Sequence, residues 1–459
     1  MKNGSRKRLA NLTRDWGAWN RVSLYLERCQ IDTPDELVQA TWSHVRALRK
    51  RIGTVVDFGA GDGRFAQHGS YKDYVGYEID EQRSCGVMLP ANATIVHKCA
   101  FSDTVTDADL CIGNPPFVRN QDLPVGWRQR AAAVLNERTG ISVSGLANAW
   151  QYFFLLALTS VKRTGMVALV VPYEWVSRPS SADLRAYIRS NAWDVDVYRL
   201  VDTTFDSVLT TSSITIVNKA AKSGRWRYFK ERANGEFSPL RSPSGARSGV
   251  ISYTQRAHAN AQDVKAKRGL SPGTQEVLTL TEGERVRHGL RVRTDVVPCV
   301  TTLRHLPSDV TTLNKEVFDR CFRRAGERCW LIRTDKKLSP ELRAYLTSVP
   351  PALYQTSTCL EREDWWRFTM PEVPDILVAS SFRNRFPKTI VNEISARAVG
   401  GVYGVYNNSA LSPRTLSLRL RKMDIANRVV SHSNGLRKVE INQLNTLLLR
   451  ASQRKQRKK

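Results

Sequence analysis

Residues 109–117 read Asp109-Leu110-Cys111-Ile112-Gly113-Asn114-Pro115-Pro116-Phe117. An apolar run of strand character stops abruptly at an asparagine followed by two prolines. Proline lacks a backbone N–H and fixes φ, so the ladder ends there and the loop is stiff. Similar strands precede it. Residues 54–58 run into Gly59-Ala60-Gly61-Asp62-Gly63, residues 74–77 end on Glu78, and residues 94–96 precede Ser102-Asp103. Outward from these, the pattern predicts a helix that starts at Asp32-Thr33-Pro34 and runs to about Arg51. An apolar helix over 149–161, ended by Gly165, comes next, then a buried strand over 166–171. A helix over 182–190 and strands over 195–200 and 213–218 complete the series. Residues 1–30, with Trp16, Trp19, Arg21 and Tyr25, read as helical. Strand and helix in alternation imply an α/β fold, a doubly wound and mostly parallel sheet.

The chain has 459 residues, room for two or three domains, and its 41% hydrophobic content allows packed cores. Its net charge of +27 points to a polyanionic partner. That charge is uneven: residues 1–221 hold 26 Lys and Arg against 22 Asp and Glu, whereas residues 222–459 hold 44 against 21. Attraction to nucleic acid is therefore expected from the second half. Composition shifts after Lys222, and the Gly-, Ser-, Pro- and Arg-rich stretch 234–249 reads as a linker. We expect domains at 1–230 and 231–450, the second mixed α+β, and a disordered basic tail at 451–459. The eight cysteines form no C-x-x-C pair, which argues against structural zinc and for reduced thiols in the cytoplasm. No apolar run reaches the ~20 residues of a membrane span, and the N-terminus lacks a signal-peptide core.

Glycines at 59, 61 and 63 after a strand allow a sharp turn and close backbone approach to a nucleotide. Glu78, at the end of the next strand, suits ribose hydroxyls. Those two features leave a nicotinamide cofactor and S-adenosyl-L-methionine equally open. Asn114-Pro115-Pro116-Phe117 decides between them. An amine on an aromatic ring is a poor nucleophile, because its lone pair is delocalised. Two acceptors aimed at its N–H groups localise that pair, and the Asn114 amide oxygen with the Pro115 carbonyl supplies both. Phe117 offers a flat face for an extruded base. A competing reading is Pro298-Cys299, the residue pair of a cytosine-C5 nucleophile. It lies far outside the sheet domain and reads as a buried thiol.

With these motifs in this order, the chain resembles the gamma-class (TaqI-type) adenine-N6 DNA methyltransferases. The likeness runs through Thr33-Pro34, the glycine loop, Glu78, Ile112 to Arg119, Val170-Val171-Pro172, Leu184-Arg185 and Ser213 to Val217. It continues more loosely through residues 288–295 and 401–409. The resemblance implies a class I methyltransferase fold, S-adenosyl-L-methionine as cofactor and double-stranded DNA as partner, gripped by a C-terminal target-recognition domain. It places Thr33 at the methionine end of the cofactor, with Asp57, Gly59 and Gly61 beside it and Glu78 on the ribose. Phe153 takes the place of an aromatic against the cofactor adenine, and it also reads as core. Phe205 takes the place of an aromatic packed on the flipped base. The family acid of the third strand has Asp103 as its nearest counterpart, after Lys98-Cys99-Ala100. A restriction or defence partner is expected as a separate protein. The same loop also serves enzymes that methylate RNA amines or glutamine amides, and a silent DNA-binding subunit is the non-enzymatic alternative.

Overall fold

The computed structural model describes residues 31–102, 105–145, 147–201, 204, 211–244, 251, 264–433 and 435–453. The expected helix in 1–30, Asp103, Phe205 and the tail beyond Gln453 lie outside the described residues. The chain divides into two compact units, residues 1–250 with 430–435, and residues 251–429 with 436–459.

The first unit is built on a nine-stranded sheet. Its strands are β1 (Thr54–Phe58), β2 (Asp73–Glu78), β3 (Ala93–His97), β4 (Ala108–Gly113), β5 (Val161–Pro172), β6 (Asp194–Arg199), β7 (Ser212–Asn218), β8 (Trp226–Glu231) and β9 (Phe237–Leu240). Their spatial order is β3-β2-β1-β4-β5-β7-β6-β8-β9. The first five are parallel, and β7 runs antiparallel to both β5 and β6. Every residue of β4 is buried, as expected for a parallel strand covered on both faces. The four longer helices are α1 (Asp35–Leu48), α2 (Val125–Thr139), α3 (Ala149–Ser160) and α4 (Ala182–Ser190). One core cluster gathers α3 with Val56, Cys111 and Val167. The other gathers α1 with Val55, Leu110 and Ile112. Successive residues of one strand thus point into opposite cores. Strand order reverses between β1 and β4, which pair through Val55↔Leu110 and Val56↔Cys111. The carboxyl ends of two such strands form the crevice where open α/β sheets bind ligands.

Two local expectations need correction. Gly165 does not end α3. The helix stops at Ser160, Val161 is already extended (φ −98°, ψ 151°) and pairs with Ala108, and Gly165 lies inside β5. Ladder pairing to β4 overrides the glycine signal. The stretch read as a linker from residue 234 holds β9, which pairs antiparallel with β8 across a turn at Gly235 (φ 79°). The first sheet therefore extends beyond residue 230.

The second unit is mixed α+β. Its strands include β10 (Val264–Lys267), β11 (Thr279–Leu280), β12 (Val296–Val300), β13 (Thr312–Leu313), β14 (Trp330–Ile332), β15 (Ile376–Ala379), β16 (Ser381–Phe382), β17 (Thr389–Asn392), β18 (Arg397–Ala398) and β19 (Val402–Asn407). One sheet has the order β10-β19-β15-β17-β13 and another β11-β14-β12-β18. Helices α5 (Pro340–Ser348), α6 (Pro413–Arg421) and α7 (Ile441–Ser452) belong to this unit. Pro298-Cys299 sits in β12, where Cys299 is fully buried and its N–H donates to the Cys329 carbonyl at 2.8 Å. Trp365 and Trp366 are half-buried against this core, and Trp365 stacks on Tyr354 at 4.2 Å.

Candidate active site

Two loops meet where the strand order reverses. The first leaves β1 through Gly59 (φ 92°) and Gly61 (φ 56°), a backbone region that side chains disfavour. A Cβ on Gly59 would lie 3.4 Å from the Pro116 ring, so this glycine lets the two loops touch. Glu78, at the end of β2, holds the first loop in place. Its Oε2 accepts from the Gly61 N–H at 2.9 Å, and its Oε1 accepts from Ile79 and Asp80 at 2.8 and 3.0 Å.

Asp57 lies below this loop, fully buried. Its Oδ2 accepts from the Tyr74 hydroxyl at 2.7 Å, and its Oδ1 has no partner among the described residues. A Cβ on Gly113 would fall 2.0 Å from that oxygen, so only glycine fits at the end of β4. Burial pushes the Asp57 carboxyl up to about 7. The Tyr74 hydrogen bond opposes the rise, and repulsion from Glu78 and Asp62 adds to it.

The second loop leaves β4 as Asn114-Pro115-Pro116-Phe117. Asn114 donates through Nδ2 to Thr33 Oγ1 at 3.1 Å. In that orientation its Oδ1 is buried and lacks a hydrogen-bond partner among the described residues. Pro115 is buried, and Phe117 packs half-buried against the core. Beyond them, the Val118 carbonyl accepts from Ala149 N–H at 2.9 Å, and Asn120 N–H donates to Asn148 Oδ1 at 2.9 Å. The loop is thereby pinned to the start of α3.

Thr33, nearly buried, also ties the segment before α1 to the glycine loop. Its carbonyl accepts from Arg64, whose guanidinium grips Asp62 through two bonds of 2.9 and 2.5 Å. Asp32 pairs with Arg83 and, at 3.5 Å, with Arg64. Two arginines and two aspartates so fasten residues 32–33 over the loop.

Together these elements border a cleft with an empty volume of about 840 Å³, open mouth included. Gly59, Gly61, Glu78, Asn114 and Phe153 line it. Thr33, Asp57, Pro115 and Phe117 stand behind or beside that wall. Phe153 is 9% exposed, and its ring lies 5.3 Å from Phe101 and 6.1 Å from Trp127. Sequence reasoning missed Ile79, Arg83 and Trp127, which also line the cleft. Ile79 carried a usable signal, since it directly follows the strand-end acid. Trp127 did not, because α2 has almost no apolar stripe. At the third strand the wall is Lys98-Cys99-Ala100, where burial pushes the Cys99 thiol up.

Comparison with known proteins bears on both units. Residues 91–207 match the Eco57I restriction-modification methylase family, and residues 251–422 match the C-terminal domain of the type II methyltransferase M.Eco57I. The type II methyltransferase M.XamI of Xanthomonas campestris pv. amaranthicola is 24% identical over 414 residues, spanning 83% of this chain and 76% of that protein. The type IIL restriction-modification enzyme MmeI, solved in complex with DNA, is 12% identical with a TM-score of 0.56, over 95% of this chain and 65% of that one. The type I restriction-modification methyltransferase subunit from Streptococcus thermophilus is 16% identical with a TM-score of 0.38, over 46% of this chain and 50% of that one. This chain thus spans between half and two thirds of those solved chains. The likeness to MmeI extends to the fold, a doubly wound, mostly parallel sheet followed by a mixed α+β unit. The sequence matches support a methyltransferase of the restriction-modification type.

Proposed function

We propose that the chain methylates the exocyclic N6 amine of an adenine swung out of duplex DNA, within a short fixed sequence. One observation carries this reading: Asn114 Oδ1 is a buried acceptor with no partner among the described residues, at the rim of a nucleotide-sized cleft. A buried acceptor left unpaired is costly, and a substrate N–H would satisfy it. Asn114 Oδ1 and the Pro115 carbonyl would accept from the two amine hydrogens and localise the nitrogen lone pair. The prolines and the pinning at Val118 and Asn120 hold these acceptors in place before the substrate arrives. Phe117, with Phe205, would stack on the extruded ring.

The residues present fit S-adenosyl-L-methionine. The Gly59–Gly61 turn leaves room for close approach, Glu78 keeps carboxylate lone pairs for ribose hydroxyls, and Ile79 and Phe153 give apolar walls. Thr33 would face the methionine end. When bound, the cofactor would supply a methyl group carried on a cationic sulfur. The described lining also includes Lys98, Cys99 and Ala100.

DNA as the substrate rests on the charge excess of residues 222–459 and on relatives of the restriction-modification type. We assign cofactor binding and catalysis to the first unit and target recognition to the second. Asn114→Ala should lower methyl transfer by about 10²–10³-fold or more, with DNA binding retained. Unchanged methylation by that variant would sink the mechanism. Expression in a methylation-free host, followed by single-molecule sequencing, should show modified adenine in one motif. Labelled methyl groups entering RNA or protein instead would overturn the substrate.

A further inference from the structure

The second unit contains a cleft of its own, with an empty volume of about 1790 Å³ including its mouth. Its wall is made by residues 301–304 with Ser308 and Val310, by β16 and the turn that joins it to β17, and by Arg421 at the end of α6. Five cationic side chains line it: Arg304, Arg383, Arg385, Lys388 and Arg421. No carboxylate stands among its lining residues, although serine and threonine hydroxyls do. The nearest acids sit outside the wall. Asp424 pairs with Arg385 at 3.3 Å, in an exposed contact worth little, and Asp309 acts on Lys388 from a distance. No ion pair engages Arg383 or Arg421 among the described residues. Five cations against two acids at the margin leave a surplus of positive charge, so the cleft is poised for a polyanion.

The turn itself has a division of labour. Phe382 and Phe386 are buried at 6% and 9% exposure and anchor its two ends. Between them Arg383, Asn384 and Arg385 are all exposed. A turn held at both ends that presents Arg-Asn-Arg carries the side chains that pair bidentately with guanine and adenine edges in the major groove. Lys388 is different: it is half-buried and donates to the Leu306 carbonyl, which fixes its charge in the cleft floor.

We propose that this cleft seats duplex DNA, with Arg304, Lys388 and Arg421 on phosphates and the Arg383-Asn384-Arg385 turn reading base edges. The inference rests on the methyltransferase reading above and names its specificity-determining residues. It is tested on the full chain with a duplex that carries the motif found for the wild type. Arg304→Gln with Arg421→Gln should weaken binding to every duplex alike. Each lost phosphate contact should lower the slope of log K against log salt by about 1. Arg383→Ala and Asn384→Ala should instead relax the methylated motif at one or two base pairs, with discrimination there reduced on the order of tenfold. Thermal melting, together with Arg383→Lys, separates loss of reading from loss of fold. A wild type that methylates one motif, with folded turn variants that keep that motif at full stringency, overturns the cleft assignment alone. A salt slope unchanged in the double Gln variant does the same, as does tighter binding to duplex RNA through these residues. A wild type that methylates no DNA overturns the earlier reading instead.

Discussion

The crevice at the reversal of the first sheet and the basic cleft of the second unit are opposites in chemistry. At the crevice the decisive atom is neutral, buried and held by neighbours on either side: Asn114 between Thr33 and two prolines. In the basic cleft the groups in question are charged, and three of the five, Arg304, Arg383 and Arg385, are exposed. Covalent chemistry on a weak nucleophile needs acceptors fixed before the substrate arrives, which only a packed site supplies. Recognition of a long polyanion needs many adjustable contacts, each of modest weight. On the proposed reading, one site should be sensitive to a single atom, while the other should degrade in steps.

That contrast can be broken or sharpened by experiment. The largest effect belongs to Asn114→Ala, where catalysis should collapse while affinity for DNA survives. If affinity fell in parallel with catalysis, the crevice would be a binding site like the other. Next comes Glu78→Ala, which removes the acceptor for Gly61, Ile79 and Asp80 N–H groups. We expect about ten- to a hundredfold weaker cofactor binding by calorimetry, and a smaller loss for Glu78→Gln. Equal binding by all three proteins would remove Glu78 from the site.

Asp57 gives an effect on stability instead. Its carboxyl, raised to about 7 when folded, binds a proton that the unfolded chain has released. Stability from this group is therefore full below about pH 4 and is lost as pH rises toward 7, by up to about 4 kcal/mol. Asp57→Asn should flatten that decline, measured as urea midpoints at pH 5 and pH 8. Parallel profiles for variant and wild type would show that the buried acid is not the cause. Smallest on activity is Cys299→Ala. Methyl transfer should be unchanged, with a stability loss of about 1 kcal/mol from the buried site. A dead Cys299→Ala enzyme would revive the cysteine nucleophile that burial in β12 argues against.

Much of the first unit could be read from sequence, for a physical reason. Strands β1, β4 and the second half of β5 are buried on both faces, so they appear as apolar runs, and β1, β2 and β4 each end at or just before a residue that breaks the run. Gly59, Glu78 and Asn114 were found that way, and all three line the cleft. Phe153 was legible as an aromatic in an apolar helix, and its ring does reach the cleft wall. The rest depends on tertiary neighbours. Asp57 sat in the right strand, but only packing shows that it faces Tyr74 rather than the cleft. Trp127 belongs to a helix without a clear stripe. β9 hides in a Ser- and Pro-rich stretch because its pairing comes from β8 rather than from its own composition. Lys98-Cys99-Ala100 lines the wall where an acid was expected further on. In the second unit the sequence showed a surplus of charge, but only the fold gathers five of those cations around one turn.

The bond from Asn114 to Thr33 has one more consequence. An asparagine side chain is nearly symmetric in shape, and half a turn about its last bond exchanges oxygen for nitrogen. Packing can hardly tell the two settings apart. In the setting found, Nδ2 donates to the Thr33 hydroxyl and Oδ1 is left without a partner among the described residues. On the proposed mechanism, that setting leaves the oxygen for the substrate amine, beside a residue that would perform no chemistry of its own.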